Sequence, residues 1–271
     1  MDPEQPTSRS IWLWDDNEYE GAGTDGFRPW LDAYPCPDAG DGTRGAVLVM
    51  PGGGYCMRAP HEAAPIASRF RDAGIHGFVC HYSVSPRRHP QPLRDASRAL
   101  RLVRQRAPEW GVNPDRIAVL GFSAGGHLTA SLGVHYGQNY LKGNKPIDRV
   151  ANRPDALVLC YAVITAFAHG HKGSLANLLG ADATEEQRRA MSLELHVTGS
   201  TPPTFLWHTV EDEGVPVENA LLFAQSLRRC SVPFEMHLYP KGRHGLGLAP
   251  EDPHVATWPD LCIQWLKTMG W

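Results

Sequence analysis

The sequence predicts an α/β fold in which a mostly parallel, twisted sheet is flanked by helices. Six short apolar runs of strand length recur along the chain, at residues 46–50, 77–82, 116–120, 156–164, 205–209 and 234–239. They are almost continuously hydrophobic, which is typical of strands covered on both faces. Amphipathic segments lie between them, and strands that alternate with helices favour parallel pairing through right-handed crossovers.

The segments between the runs have helical periodicity. At residues 93–103 the apolar side chains fall on one face and the arginines on the other. Residues 217–229 and 255–269 also predict helices. The first forty or so residues carry the apolar run 11–14 among many turn-forming residues. We expect them to add antiparallel strands at an edge of the sheet.

Length and composition indicate one globular domain over residues 1–271, with 42% hydrophobic and 20% charged residues. The net charge of −3 supplies no basic field for a nucleic acid or an anionic membrane. No apolar run is long enough to predict a transmembrane helix. Residues 1–6 are acidic and proline-rich and lack the regions of a signal peptide, so we expect a cytoplasmic location.

The motif with the clearest chemistry is Gly-x-Ser-x-Gly at residues 121–125. The bare motif is common in ordinary loops, so the segments on either side of it decide whether it marks a nucleophile. Here an apolar strand precedes it and a predicted helix at 126–132 follows it, as in the nucleophile elbow of an α/β-hydrolase. The tight turn holds the serine oxygen clear of the sheet. We therefore predict Ser123 as a nucleophile and the Ala124 amide as half of an oxyanion hole.

A nucleophilic serine needs a base, and the base needs a carboxylate that orients it. In this fold the carboxylate follows the serine in the chain and precedes the histidine. The loop after the fifth apolar run offers Glu211, Asp212 and Glu213. We predict Asp212 as the acid because Asp-x-x-Val-Pro before a helix recurs in such loops. The two glutamates are expected to face solvent.

The base is predicted at His244, in a glycine-flanked loop after the last apolar run. Of 13 histidines, it is the one in the loop directly after the final strand, in the required order. His208 lies within a predicted strand and is expected to pack behind the site. His169 and His171 lack further ligands at metal-binding spacing and are expected in a solvated loop. The six scattered cysteines are interpreted as free thiols, and no cofactor is predicted.

Three consecutive glycines follow the first apolar run, with Pro51 where the usual motif has a histidine. Glycines let backbone amides turn toward a developing oxyanion without interference from side chains. We predict that the amides of Gly53 and Gly54 complete the oxyanion hole with Ala124. Tyr55 follows them and is expected to contact substrate and narrow the acyl side of the cleft.

Residues 165–204 interrupt the alternation of strands and helices. Ligands of such folds bind at the carboxyl ends of the strands, so this insertion is expected to lie near the active site. It is too short for a large cap domain. We predict a small helical flap over an open cleft.

Several segments together resemble one branch of the α/β-hydrolases. They are residues 51–55 (PGGGY), 110–117 (WGVNPDRI), 121–128 (GFSAGGHL), 192–197 (SLELHV) and 201–209 (TPPTFLWHT). The branch is the hormone-sensitive-lipase-like and acetyl-xylan-esterase-like group, and within it the Bacteroidetes-type feruloyl/acetyl esterases. The resemblance covers about residues 44–270. The chain departs from the family's Asp-Asp-x-Val acid motif at residues 211–214 (EDEG).

This resemblance implies a serine esterase that removes acetyl groups from xylose-based or other sugars, with Ser123, His244 and Asp212 as its triad. It implies a small-molecule or oligosaccharide ester as substrate. Fold does not fix substrate, so other hypotheses stay open. They are a feruloyl or general short-chain carboxylesterase, an arylformamidase or exopeptidase on the same scaffold, and a non-catalytic binding protein. Rates on the matching substrates and labelling by a serine-directed phosphonate would discriminate among them.

Overall fold

The computed structural model describes residues 10–15, 19, 26–37 and 42–271, and across these ranges eight strands form one sheet. The strands are β1 (Ser10–Trp12), β2 (Trp30–Tyr34), β3 (Arg44–Met50), β4 (His76–His81), β5 (Val112–Phe122), β6 (Ala156–Cys160), β7 (Thr204–Thr209) and β8 (Phe234–Tyr239). Their order is β1-β2-β4-β3-β5-β6-β7-β8. The β1–β2 and β2–β4 pairs are antiparallel, and the other five pairs are parallel. The predicted fold class is confirmed, including its antiparallel edge. Residues 1–6 lie outside the described residues.

Helices cover both faces of this sheet. Those in the described ranges are α1 (Ala64–Asp72), α2 (Gln91–Gln105), α3 (Ala107–Trp110), α4 (Ser123–His135), α5 (Lys172–Leu179), α6 (Glu185–Ala190), α7 (Glu218–Arg229) and α8 (Trp258–Thr268). Leu48 of β3 packs in the cluster that includes α2 and α4. Its neighbours Val47 and Val49 pack on the opposite side, with α1 and α8. This alternation explains why the strand sequence is hydrophobic throughout.

Several predicted boundaries differ from the structure, among them the ends of β6 and α8. The strand expected at 156–164 ends at Cys160 because Tyr161 has a left-handed backbone with φ of 36°, which turns the chain out of the sheet. The helix expected at 255–269 begins with a short 3-10 turn, Val255–Thr257, before α8. Helix α1 was not predicted. None of the helices among the described residues combines the length and apolar character needed to cross a bilayer.

The topology brings distant segments to one edge of the sheet. β5 lies between β3 and β6, and the parallel strands β3, β5, β7 and β8 all end at that edge. The glycine loop at 52–54 follows β3, Ser123 follows β5, Asp212 follows β7, and His244 follows β8. The insertion at 165–204 contains α5 and α6.

Candidate active site

Ser123 lies at the junction of β5 and α4 with a left-handed backbone, φ of 51°. Such a turn tolerates only small neighbours. A Cβ at Gly121 would collide with the Gly125 carbonyl oxygen, and a Cβ at Gly125 would collide with the Met50 carbonyl oxygen. Strain at a residue other than glycine persists only where the surrounding structure enforces it. The motif glycines therefore allow the chain to hold Ser123 in this conformation.

Ser123, His244 and Asp212 form a continuous chain of hydrogen bonds. The Ser123 hydroxyl Oγ lies 2.8 Å from His244 Nε2, and His244 Nδ1 lies 2.7 Å from Asp212 Oδ2. The other carboxylate oxygen, Oδ1, accepts from the amides of Gly214 at 2.9 Å and Val215 at 2.8 Å. In this arrangement Nδ1–H donates to Asp212, which leaves Nε2 free to accept the serine proton.

The Asp212 side chain is fully buried, whereas His244 is 29% exposed. Burial alone would raise the pKa of Asp212. Interactions with His208 and His244 and the Val215 amide outweigh burial and hold the pKa of Asp212 well below its usual 3.8. His208 Nε2 lies 3.5 Å from Asp212 Oδ2 and donates to the Val215 carbonyl at 2.9 Å. Asp212 is therefore an anion at neutral pH.

The loop after β7 separates its three carboxylates. Asp212 points inward to His244, whereas Glu211 and Glu213 are exposed. His208 is fully buried on β7 behind Asp212. The structure thus brings together the three residues that the sequence predicted as a triad and leaves the two glutamates in solvent.

The glycine loop presents two uncommitted amides. Gly52 N–H donates to Glu62 Oε2 at 2.7 Å, but neither Gly53 N–H nor Gly54 N–H has a hydrogen-bond acceptor among the described residues. Both residues have positive φ, 123° and 64°. Ala124 lies in the first turn of α4, where backbone N–H groups lack acceptors within the helix. Its amide therefore remains available to a ligand.

Tyr55 does not line the cleft, contrary to the expectation from sequence. Its backbone is left-handed with φ of 58°, and its side chain is 2% exposed. The hydroxyl lies 2.9 Å from His127 Nδ1, and the ring packs edge-on against Tyr82. The turn sends this side chain into the core, so Tyr55 anchors the glycine loop from below.

His127 is a buried neutral base that supports this anchor. Its Nε2 donates to the Met191 carbonyl at 3.1 Å, and Nδ1 accepts from Tyr55. Burial lowers the pKa of His127 to about 4 from its ordinary value of 6.5. Between these values the unfolded chain binds a proton that the folded chain does not. The stability that His127 contributes is therefore present above pH 6.5 and lost as the pH falls toward 4.

We expect the titration of His127 to lower the free energy of unfolding by about 2 kcal/mol when the pH falls from 7 to 5. Urea unfolding of the wild type and of His127→Gln at the two pH values measures it. The drop in unfolding free energy should be smaller in the variant by about that amount. His254→Gln changes an exposed histidine and should keep the wild-type drop. An equal drop in wild type and His127→Gln would contradict the prediction.

The insertion contacts the glycine loop through α5. Asn177 Nδ2 donates to the Gly54 carbonyl at 2.9 Å. His171 caps the start of α5, because its Nδ1 accepts from the Ser174 amide at 3.2 Å and lies 2.7 Å from Ser174 Oγ. Burial lowers the pKa of His171, and the nearby His244 lowers it further. His171 thus lies in a loop, as expected, but it is half-buried and holds the flap beside the site.

Two further residues of the site were not predicted from sequence. Glu62 is a buried carboxylate beneath the glycine loop, and Tyr161 is a buried phenol whose ring contacts His244 edge-on at 5.0 Å between centroids. Neither belongs to a motif with a mechanism attached. Only the folded arrangement shows that they meet.

Fold and site together define the class of protein, an α/β-hydrolase with its polar residues on the loops at the carboxyl edge of the sheet. The chain belongs to the BD-FAE family, whose model matches residues 31–227. Several proteins similar to it are named as ester hydrolases, among them a probable carboxylic ester hydrolase of Mycobacterium tuberculosis and a carboxylesterase of Lactobacillus plantarum.

Three relatives show the extent of the similarity. Endo-1,4-beta-xylanase B of Butyrivibrio fibrisolvens is 41% identical over 89% of this chain, and acetylxylan esterase of Xylanibacter ruminicola is 27% identical over 83%. The chain spans 38% and 44% of the lengths of these two proteins. The structure of an acetyl ester-xyloside bifunctional hydrolase from Caldicellulosiruptor lactoaceticus matches with a TM-score of 0.92 and 43% identity. That match covers 98% of this chain and 97% of the other.

Proposed function

We propose that this protein is a serine esterase that removes acetyl and other short acyl groups from carbohydrate esters such as acetylated xylo-oligosaccharides. The observation that carries the proposal is the hydrogen-bonded chain from Ser123 through His244 to Asp212. The similarity to an acetylxylan esterase and to an acetyl ester-xyloside bifunctional hydrolase supports the carbohydrate ester as substrate. The cytoplasmic location expected from sequence stays a prediction.

The proposed mechanism follows from the geometry. His244 Nε2 takes the proton of Ser123 as its oxygen attacks the ester carbonyl carbon. The negative charge that develops on the carbonyl oxygen is stabilised by the amides of Gly53, Gly54 and Ala124. The imidazolium, held by the Asp212 anion, then protonates the departing sugar alcohol. Water, activated by the same histidine, hydrolyses the acyl-serine.

The test is a substrate panel with the whole chain. Acetylated xylo-oligosaccharides, feruloyl esters, formyl-kynurenine and aminoacyl amides each represent one reaction on this scaffold. We expect the acetylated sugars to give the highest kcat/KM, and a serine-directed phosphonate to label the protein with loss of that activity. Faster turnover of an amide substrate would assign the site to a different reaction. Absence of both turnover and labelling would indicate a binding protein.

The acyl group is expected to be short. The insertion is small, and its helix α5 lies against the glycine loop through Asn177 and Gly54, so we expect it to provide little apolar lid for a long chain. Each methylene that a channel buries favours its ester by about 0.8 kcal/mol, roughly fourfold in rate. A site without such a channel reverses that order.

A series of p-nitrophenyl esters from acetyl to octanoyl measures this preference. We expect kcat/KM to be highest for acetyl and to fall from butanoyl onward. A maximum at octanoyl or beyond would contradict the carbohydrate-acetylesterase proposal and favour a lipid or general carboxylesterase.

A further inference from the structure

Glu62 places a carboxylate under the glycine loop. It ends a short 3-10 turn, Pro60–Glu62, ahead of α1, and is 2% exposed. Its Oε2 accepts from Gly52 N–H at 2.7 Å, and its Oε1 accepts from the Tyr161 hydroxyl at 2.6 Å. A Cβ at Gly52 would lie 2.6 Å from Glu62 Oε2, so only glycine permits this approach. The close fit indicates that the loop and the carboxylate are matched to each other.

Tyr161 carries the connection to the opposite side of the site. Its hydroxyl donates to Glu62 and accepts from Gly247 N–H at 2.9 Å, and its ring contacts His244. Gly247 belongs to the same loop as His244. An unbroken path of three hydrogen bonds thus joins the glycine loop to the histidine loop through Glu62 and Tyr161.

This arrangement is costly for stability alone. A buried carboxylate loses its hydration, and a well-packed apolar side chain of similar size often serves a core as well or better. Tyr161 also has a left-handed backbone, a strained conformation for a residue other than glycine. Strain and buried charge that converge on two active-site loops favour a role in the chemistry over a role in packing.

We propose that Glu62 and Tyr161 are positioning residues that fix the oxyanion hole relative to the base, His244. By holding the Gly52 amide, Glu62 fixes the peptide that precedes Gly53 and aims the amides of Gly53 and Gly54 at the site where the oxyanion forms. Through Tyr161 the same carboxylate fixes this loop relative to His244. The inference rests on the proposed esterase function, because it assigns Gly53 and Gly54 to the oxyanion.

The test compares Glu62→Gln with Tyr161→Phe in the full chain. A glutamine keeps the shape of Glu62 but has one accepting oxygen, so its NH2 group faces one of the two donors. Removing one oxyanion donor outright costs about 10²–10³ in kcat. Misaiming donors that remain present should cost less, and we expect kcat to fall about 10- to 100-fold with little change in KM. The kcat of Tyr161→Phe should fall in the same way. In the double variant, the fold-decrease in kcat should be smaller than the product of the two single fold-decreases.

Two readouts separate positioning from simple destabilisation. The rate of inactivation by a phosphonate ester, whose phosphonyl oxygen occupies the oxyanion hole, should fall in parallel with kcat, whereas the melting temperature should not track it. Glu62→Asp keeps the charge, but its side chain is one methylene shorter and does not reach both donors. Its kcat should therefore also stay below that of the wild type. Glu194→Gln changes another buried glutamate, outside this path, and should keep wild-type kcat. If Glu62→Gln folds poorly, Tyr161→Phe still provides the test.

Failure of this inference is distinguishable from failure of the proposed function. If the wild type hydrolyses acetyl esters, Ser123→Ala does not, and both Glu62→Gln and Tyr161→Phe retain wild-type kcat and phosphonate reactivity, the positioning role is overturned and the esterase stands. If the wild type shows no hydrolysis that depends on Ser123, the proposed function fails and the positioning role falls with it.

Discussion

Ser123→Ala is expected to abolish ester hydrolysis while the protein stays folded. The variant removes the oxygen that would form the acyl-enzyme and leaves the β5–α4 turn in place. The Ser123 side chain is small and 7% exposed, so its loss opens little space in the core. Loss of a triad nucleophile costs on the order of 10⁶ in turnover in a serine protease. Initial rates on an acetyl ester, with circular dichroism as the check on folding, measure the effect.

Ser131→Ala is a matched control. Ser131 is a second buried serine of α4, and its hydroxyl has no hydrogen-bond partner among the described residues. This variant should keep wild-type activity. If a pure sample of Ser123→Ala retained more than a few per cent of the wild-type rate, Ser123 would not be the nucleophile.

The second large effect is expected for Asp212→Asn, on the order of 10⁴ in turnover if the serine-protease precedent transfers. The carboxylate accepts from His244 Nδ1–H and so selects the tautomer whose Nε2 can take the serine proton. An amide at this position can donate instead, which favours the opposite tautomer. The buried variant also lacks the charge that stabilises the imidazolium. Steady-state kcat on an acetyl ester measures the loss.

The loop supplies its own controls for this prediction. Glu211→Gln and Glu213→Gln each remove one exposed charge within one residue of Asp212, with the same change in functional group. Each should lower kcat far less than Asp212→Asn does. If either variant lowered kcat more than Asp212→Asn does, that glutamate would be assigned as the acid instead.

Sequence reasoning succeeded where a constraint is local or follows chain order. The nucleophile elbow is local, since small residues must flank Ser123 in a tight turn between a strand and a helix. Asp212 and His244 could be selected because parallel strands bring the loops that follow them to one edge. The hydrophobic runs and their alternation with helices were sufficient to predict the sheet. These features depend on short segments and on the sequence of elements along the chain.

The supporting residues could not be found in this way. Glu62 and Tyr161 are 99 residues apart, and their contact exists only because the turn after β6 bends toward the loop after β3. Tyr55 was expected in the cleft, but its positive φ reverses the direction of the side chain. A left-handed tyrosine has no signature in the residue pattern, because tertiary packing imposes it. The same holds for His171, whose partner Ser174 belongs to a helix that the sequence indicated only as part of a flap.

The spacing of the site residues along the chain has a consequence during synthesis on the ribosome. The proposed base lies 121 residues after the proposed nucleophile, and the proposed acid lies between them in the loop after β7. Domains tend to form from the N-terminus during synthesis at about 5–20 residues per second. The nucleophile would thus emerge some 6–24 seconds before its base at these rates. Until β8 and its loop join the sheet, a nascent chain carries the elbow with an inert serine.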